Sequence, residues 1–235
     1  MRGWVYNWQQ RDMKTNDTII HDSESAQGYD QQAQATNWRG PEVVFGMVYE
    51  FVKPGERLLD LGIGSGLSSI LFHKAGLHVY GLDGSSEVLE VCRSKAFAIE
   101  LKQHDLRTLP LPYPANLFDH VICVAVLNSF HDLAPLFAEI SRILKPGGIY
   151  AFTVEEQAPG QEAHYPINPV EVAENPEEGV AVMLYRHSAE IIRSFLERSG
   201  FTPLKALEFV AFAYPAEQRN VYFKATIARK VSSTF

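Results

Sequence analysis

The chain reads as an α/β protein: a doubly wound, mostly parallel sheet of seven strands, with helices on both faces and an antiparallel hairpin at its C-terminal end. Three observations predict this. Apolar runs of strand length alternate with helical periodicity between residues 57 and 154, and alternation at this spacing implies right-handed crossovers and parallel neighbours. Three glycines at alternate positions, Gly62, Gly64 and Gly66, separate the first strand run from the first helical segment. Two more strand-like runs lie close together near the C-terminus.

The elements follow in order. Pro41 opens a segment with Val44, Met47, Val48 and Phe51 at helical spacing, stopped by Lys53-Pro54-Gly55. Strands are predicted at Arg57–Leu61, His78–Leu82, Ile99–Gln103, His120–Ala125 and Ile149–Val154. Between them, helices are predicted at Leu67–Ala75, Glu87–Lys95 and Leu133–Leu144. The last carries Leu133, Leu136, Phe137, Ile140, Ile143 and Leu144 along one face, with Pro146-Gly147-Gly148 as its stop. Ser188 caps a further helix through Ser199, with Gly200 beyond it. The runs Leu204–Phe212 and Val221–Arg229 then form the hairpin.

Two regions stand outside this alternation. Residues 1–40 are polar, with Trp4, Tyr6, Trp8, Tyr29 and Trp38 scattered through them, and read as an irregular arm whose later part orders over the core. Residues 155–187 are rich in glutamate and proline, too polar and interrupted for a core element. They leave the fifth strand at its carboxyl end, where ligands of such sheets bind, and are expected to act with the arm as a mobile cover. Residues 41–235 make one domain.

Composition excludes several classes. At 235 residues, 46% hydrophobic and 21% charged, the chain suits one large globular domain. No run approaches the roughly 18 apolar residues of a spanning helix, and the first residues lack the apolar core of a signal peptide. A cytoplasmic protein without membrane insertion is expected. The net charge of −7 argues against a nucleic-acid partner, whose phosphates are held by Lys and Arg. Cys92 and Cys123 fall in apolar periodic segments and read as buried thiols; no metal site is expected.

The glycines call for a ligand. At a strand-to-helix turn they let the backbone lie flat and leave helix N-terminal amides for a nucleotide-like molecule. A P-loop is excluded because no Gly-Lys-Ser/Thr follows. The dinucleotide fingerprint G-x-G-x-x-G/A requires a small residue where this chain has Leu67, so an NAD(P)-dependent oxidoreductase is the alternative rather than the first reading. Asp83 ends the second strand, about 20 residues after Gly62, where a carboxylate accepts both hydroxyls of a ribose or caps the following helix.

Four stretches, "LLDLGIGSG", "VYGLDGS", "KQHDLRTLPLPYPANLFDHVICVAVL" and "ISRILKPGGIYAFTV", resemble the successive motifs of class I S-adenosylmethionine-dependent methyltransferases with a Rossmann-like fold. They are most similar to the small-molecule, ubiquinone/menaquinone-biosynthesis-like branch, and "RHSAEIIRSFLERSGF" resembles that family's penultimate helix. The resemblance implies S-adenosyl-L-methionine as cofactor, S-adenosyl-L-homocysteine as product, and methyl transfer to an O, N or C atom of a small-molecule acceptor. It implies that Asp83 holds the ribose beside Gly84, and that Asp105 accepts from the adenine amino group while the Leu106 amide donates to the ring. Asp60 would order the glycine loop and the methionine ammonium. Val124 and Ala125 would contact the methionyl part through their backbones, although Val124 stands where family members often carry a polar side chain.

Tyr29-Asp30 resembles the family's "YD" pair, implying that Tyr29 closes over the methionine end and Arg39 meets its carboxylate. His131 is the first candidate for a general base, with His164 and His187 as alternatives. Asn128 and His131 are the candidates for touching the acceptor. The amino-methylating signature Asn-Pro-Pro-Tyr is absent, and Asn128-Ser129-Phe130 stands near its place. A module that binds the cofactor without turnover is a further alternative.

Overall fold

A computed structural model describes residues 23–167, 182–214 and 218–232. Its elements are α1 Ser23–Ala35, α2 Gly40–Val48, β1 Arg57–Leu61, α3 Ser69–Lys74, β2 His78–Asp83, α4 Ser86–Ser94, β3 Glu100–Gln103, β4 Phe118–Cys123, α5 Ala134–Ile143 and β5 Leu144–Val154, then β6 His164–Ile167, β7 Val182–Tyr185, α6 Ala189–Arg198, β8 Phe201–Tyr214 and β9 Arg219–Lys230. Seven strands form one sheet in the order β3-β2-β1-β4-β5-β9-β8; β6 and β7 pair separately. Pairing is parallel from β3 to β5 and antiparallel at β5–β9 and β9–β8. The order reverses between β1 and β4. A crevice opens there at the carboxyl ends of the two strands.

Strand pleating sorts the core onto two faces. Leu58, Val79, Ile122 and Ala151 pack against Val44 and Val48 of α2, Phe72 of α3 and Leu89 and Cys92 of α4. Leu59, Val121, Tyr150 and Phe152 pack against Phe137, Ile140 and Ile143 of α5 and Ile192 and Leu196 of α6. Each such large apolar side chain stabilises the fold by about 1.5–3 kcal/mol when fully buried. Helix starts are chemically marked. The Ser85 hydroxyl accepts from the Val88 amide at 3.1 Å, and that of Ser188 accepts from the Ile191 amide at 3.3 Å; such caps contribute about 1 kcal/mol each.

Four sequence expectations need correction. The later part of the arm is a regular helix, α1, rather than an irregular segment; residues 1–22, with Trp4, Tyr6 and Trp8, lie outside the described residues. Helix α1 is held by few groups, which hid it in a polar sequence: Ala26 is its one buried residue. β5 begins at Leu144, before Pro146-Gly147-Gly148, because a register shift opposite Phe118 and His120 absorbs the expected stop. Within 155–187 the described residues include the hairpin β6–β7, where Tyr165 faces Leu184; residues 168–181 lie outside them. The strand expected to run to Ala125 ends at Cys123, and the chain turns away at Ala125, whose φ is +60°.

Candidate functional site

The crevice at the β1/β4 switch is a partly open cleft of about 170 Å³. Glycine-loop residues Gly62 and Gly64 form its floor. Asp83, Gly84, Ser85 and Val88 come from the end of β2 and the start of α4, and Asp105, Leu106 and Arg107 from the turn after β3. Val124, Ala125, Val126, Ser129 and Phe130 follow β4, and Tyr29 of α1 closes the remaining side.

The glycine loop is tied into the protein. The Gly62 and Ile63 amides both donate to the Leu82 carbonyl, at 2.8 and 3.0 Å, and the Gly66 amide donates to Ile63. The Gly64 amide donates to Asp83 Oδ2 at 2.8 Å. These amides are therefore spent internally, contrary to the expectation that they await a ligand. The glycines serve shape instead. A Cβ on Gly62 would stand 2.4 Å from Val126 Cγ2, and the φ of +72° is one that L-residues rarely adopt. Gly64 lines the cleft, and a Cβ there would come no nearer than 3.9 Å to the Tyr29 ring and a Val88 methyl.

Asp83 joins two elements. Oδ2 holds the Gly64 amide and Oδ1 accepts from the Ser85 amide at 2.9 Å, so the carboxylate reaches the cleft in a fixed orientation. Gln103 Nε2 donates to the Gly84 carbonyl at 3.0 Å and braces the turn from behind. Asp60 lies beneath the loop, 1% exposed, accepting from the Ser69 hydroxyl at 2.5 Å. Burial, with a smaller contribution from the Asp83 charge, pushes its carboxyl up to about 7. Burial likewise raises Asp83, against the amide bonds it accepts. Burial and the charges of Asp83, Asp30 and Asp60 push the Tyr29 phenol up to about 12. The acids at the floor of the cleft are thus Asp60, beneath the loop, and Asp83, at its edge.

Helix α1 is latched over this floor. Asp30 accepts from the Ser65 hydroxyl of the glycine loop and from Lys95 Nζ, the latter at 2.5 Å, which fixes the neighbouring Tyr29 beside Gly64. Behind it, Trp38 stacks on Phe212 at 4.6 Å. The Arg39 amide donates to the Ala211 carbonyl of β8 at 3.2 Å.

Of the residues singled out from sequence, Tyr29, Gly62, Gly64, Asp83, Gly84, Asp105, Leu106, Val124 and Ala125 line the cleft. The others stand elsewhere. Arg39 is exposed at the start of α2, because its backbone is bound to β8. Gly66 packs under the Phe97 ring, where a Cβ would lie 2.5 Å from Cζ. Asp60 acts through the loop above it. Asn128 is 4% exposed in a single 3-10 turn, Leu127–Ser129, behind the cleft wall. His131 is exposed, its ring edge-on to Tyr185 at 5.4 Å, and His164 is exposed on β6. His187 is buried with Nε2 3.4 Å from the Leu127 carbonyl, and burial lowers its pKa. The Asp105 carboxylate is engaged by the Arg107 amide and Nε at 2.9 Å, which orients it at the cleft mouth.

Sequence reading missed Ser85, Val88, Arg107, Val126, Ser129 and Phe130 as cleft residues. Each but Val88, which lies in the first turn of α4, adjoins a residue that was singled out. Only the turn geometry after β2, β3 and β4 brings the next side chain into the same space.

Residues 59–152 match the family model described as a methyltransferase domain. The demethylmenaquinone methyltransferase of Bacillus mycoides (strain KBAB4) is 38% identical over 103 residues, covering 41% of this chain and 44% of that protein. The malonyl-[acyl-carrier protein] O-methyltransferase of Serratia marcescens is 34% identical over 100 residues, covering 43% of this chain and 38% of that protein. The chain thus spans less than half the length of either relative. Among solved structures, a S-adenosylmethionine-dependent methyltransferase from Methanosarcina mazei superposes with a TM-score of 0.66 at 18% identity, covering 80% of this chain and 98% of that one. A putative methyltransferase from Haloferax volcanii, solved with the activator Trm112, gives 0.69 at 18% identity, covering 90% and 97%. These two likenesses bear on the fold.

Proposed function

We propose that this chain, a class I S-adenosylmethionine-dependent methyltransferase by its motif-bearing domain and fold, binds S-adenosyl-L-methionine in the β1/β4 cleft and transfers its methyl group to a small-molecule acceptor. One observation carries the reading. The floor holds a buried acid, Asp60, and a half-buried one, Asp83, both raised by burial, while the Gly62, Ile63, Gly64 and Gly66 amides are spent on Leu82, Asp83 and Ile63. A floor of this kind favours a ligand with positive charge. It opposes a pyrophosphate, which needs free loop amides; Asp83 itself would suit the ribose of either cofactor. The dinucleotide alternative therefore loses support on the loop amides as well as on Leu67.

The cofactor supplies a methyl group on a positively charged sulfur. The chain's residues bind and align around it. Asp83 offers its remaining lone pairs to ribose hydroxyls, and Asp105, held by Arg107, faces the place for an adenine amino group beside the Leu106 amide. Val124, Ala125 and Val126 wall the methionyl end, and Tyr29 covers it. Ser129 and Phe130 complete the lining contributed by the chain after β4. Alignment and exclusion of water supply up to roughly 7–11 kcal/mol in such displacements. With His131 outside the cleft, positioning rather than proton abstraction is the chief contribution of these side chains.

A small acceptor is supported by the named relatives, which act on demethylmenaquinone and on malonyl groups of acyl-carrier protein. The described residues of the cover expected over 155–187 include the hairpin β6–β7, which contributes no residue to the cleft lining. Arg186 Nε donates to Glu155 Oε1 at 2.6 Å and the Tyr165 hydroxyl to Glu155 Oε2 at 2.5 Å, pinning the hairpin to the end of β5. The test is calorimetry with S-adenosylmethionine, S-adenosylhomocysteine and NAD, followed by a methyl-acceptor screen read by mass spectrometry. We expect both adenosyl compounds to bind and NAD not to. Tighter binding of NAD would overturn the cofactor assignment, and cofactor binding with no product from any acceptor would favour a module without turnover.

A further inference from the structure

We infer that Thr153, on β5 and outside the cleft, is a positioning residue that sets the shape of the cofactor wall through a single hydrogen bond to Ala125. The inference rests on the reading of the cleft as a S-adenosylmethionine site.

The chain leaves β4 at Cys123 and must turn at the sheet's carboxyl edge. It does so by placing Ala125 at φ +60°, in the left-handed region, where an alanine is strained by the contact between Cβ and its own carbonyl. Strain of this kind persists only where the surroundings hold it. Thr153 is the group that holds it. Its Oγ1 accepts from the Ala125 amide at 2.8 Å.

Thr153 is suited to the task. It is completely buried. Its backbone is fixed in mid-sheet by pairing with Ala225 on β9, and its β-branched side chain has restricted χ1 freedom. The hydroxyl is thus a stationary acceptor, and the loop conforms to the strand.

The consequence reaches the cofactor loop. The kink at Ala125 puts Val124 and Val126 on the cleft wall and lays the Val126 methyls over Gly62, so closely that a Cβ there would meet Cγ2 at 2.4 Å. The two loops that must enclose the cofactor, after β1 and after β4, touch at this pair. Release of Ala125 to negative φ would swing Val126 off Gly62 and open the wall, while the amide would lose its partner. A glycine at 125 holds positive φ unaided. The role of Thr153 is therefore suppressible, which a general packing role is not.

The experiment measures S-adenosylhomocysteine affinity by calorimetry, and cooperative melting, on the full chain and on T153S, T153V, A125G and T153V/A125G. We expect T153V, which keeps the volume and removes the acceptor, to weaken binding by about tenfold or more, the scale of one lost hydrogen bond. T153S should stay close to the unsubstituted chain. Adding A125G to T153V should recover most of the loss. Unchanged affinity in T153V, or a folded double variant as weak as T153V, overturns the inference. Should T153V fail to fold, Ala125→Val tests the same geometry: a β-branched residue resists positive φ and must weaken binding similarly, and unimpaired binding overturns the inference. Failure of the unsubstituted chain to bind defeats the cofactor reading first and this inference with it, a result distinct from any variant effect.

Discussion

Replacing Asp60 by asparagine should reduce a pH dependence of cofactor binding that the unsubstituted chain displays. Asp60 is 1% exposed and its carboxyl sits at about 7 in the free protein, against an ordinary 3.8. A cation bound above it favours the ionised form, so binding at pH below 7 must expel a proton. If the bound cofactor returns the group towards its ordinary value, affinity falls about tenfold for each pH unit below 7, or roughly 2.7 kcal/mol between pH 7 and pH 5. Above pH 7 the curve should flatten. Calorimetry with S-adenosylmethionine in buffers of different ionisation enthalpy reads both the affinity and the proton released, and adenosine, which lacks the charged end, serves as control. D60N cannot ionise and keeps an acceptor for Ser69. It should lose the Asp60 contribution and bind with a flatter profile across the same range. The stability of the free chain moves the opposite way. Because the folded pKa is raised, the contribution of Asp60 is fully present below its unfolded value and is lost as pH rises through about 7, a swing of about 4 kcal/mol. D60N should therefore raise the melting temperature at pH 8 more than at pH 5. Affinity for S-adenosylmethionine that is constant from pH 5 to 7 in the folded, unsubstituted chain would refute the argument.

Asp83→Ala should weaken S-adenosylhomocysteine by about 1.5–3 kcal/mol, as expected for hydrogen bonds to a charged group, and calorimetry on a folded variant with unchanged affinity would remove Asp83 from the site. Gly62→Ala brings a Cβ to 2.4 Å from Val126 at φ +72° and should cost about 1–3 kcal/mol in urea unfolding. Val126→Ala in the same chain should relieve the clash but not the backbone strain, so full recovery would count against the argument. Hydrogen exchange should slow at residues 23–35 when S-adenosylhomocysteine binds, and at the β6–β7 hairpin only when an acceptor found by screening is also present. Equal exchange with and without ligands would mark both as idle surface.

The central strands were legible because apolar runs bounded by breakers leave few alternatives. β1 was placed at both ends, and β2 lost only Asp83, whose charge interrupts the run while its backbone stays paired with Gln103. The place of Asp83 in the cleft was legible for a related reason: a lone acid at the end of an apolar strand stands out. Helix α1 was not legible, since its order depends on Asp30 meeting Ser65 and Lys95 across 35 and 65 residues, pairings no local pattern announces. The same holds for the loop amides. Glycines signal a turn, but whether their N–H groups face a ligand or Leu82 depends on how β2 lies beside β1. Arg39 and His131 were drawn toward the site by residue type, and backbone bonding to β8 and a ring contact with Tyr185 place them elsewhere.

The arrangement of charge around the cleft has a mechanistic sense of its own. Asp30 carries its own cation, Lys95, so the latch adds little net field. The two acids lie on the glycine-loop side, whereas Val126, Phe130 and the Tyr29 ring give the wall beside the loop after β4 an apolar character. Under the proposed function this division places a cation where it is stabilised when bound, with an apolar, water-poor surface ahead of the methyl group. The charge is consumed as the methyl departs, so the acidic floor stabilises cofactor more than product. Product release is thereby favoured, and the floor's preference for S-adenosylmethionine over S-adenosylhomocysteine should shrink in D60N. Equal preference in the two chains would assign discrimination to the walls instead.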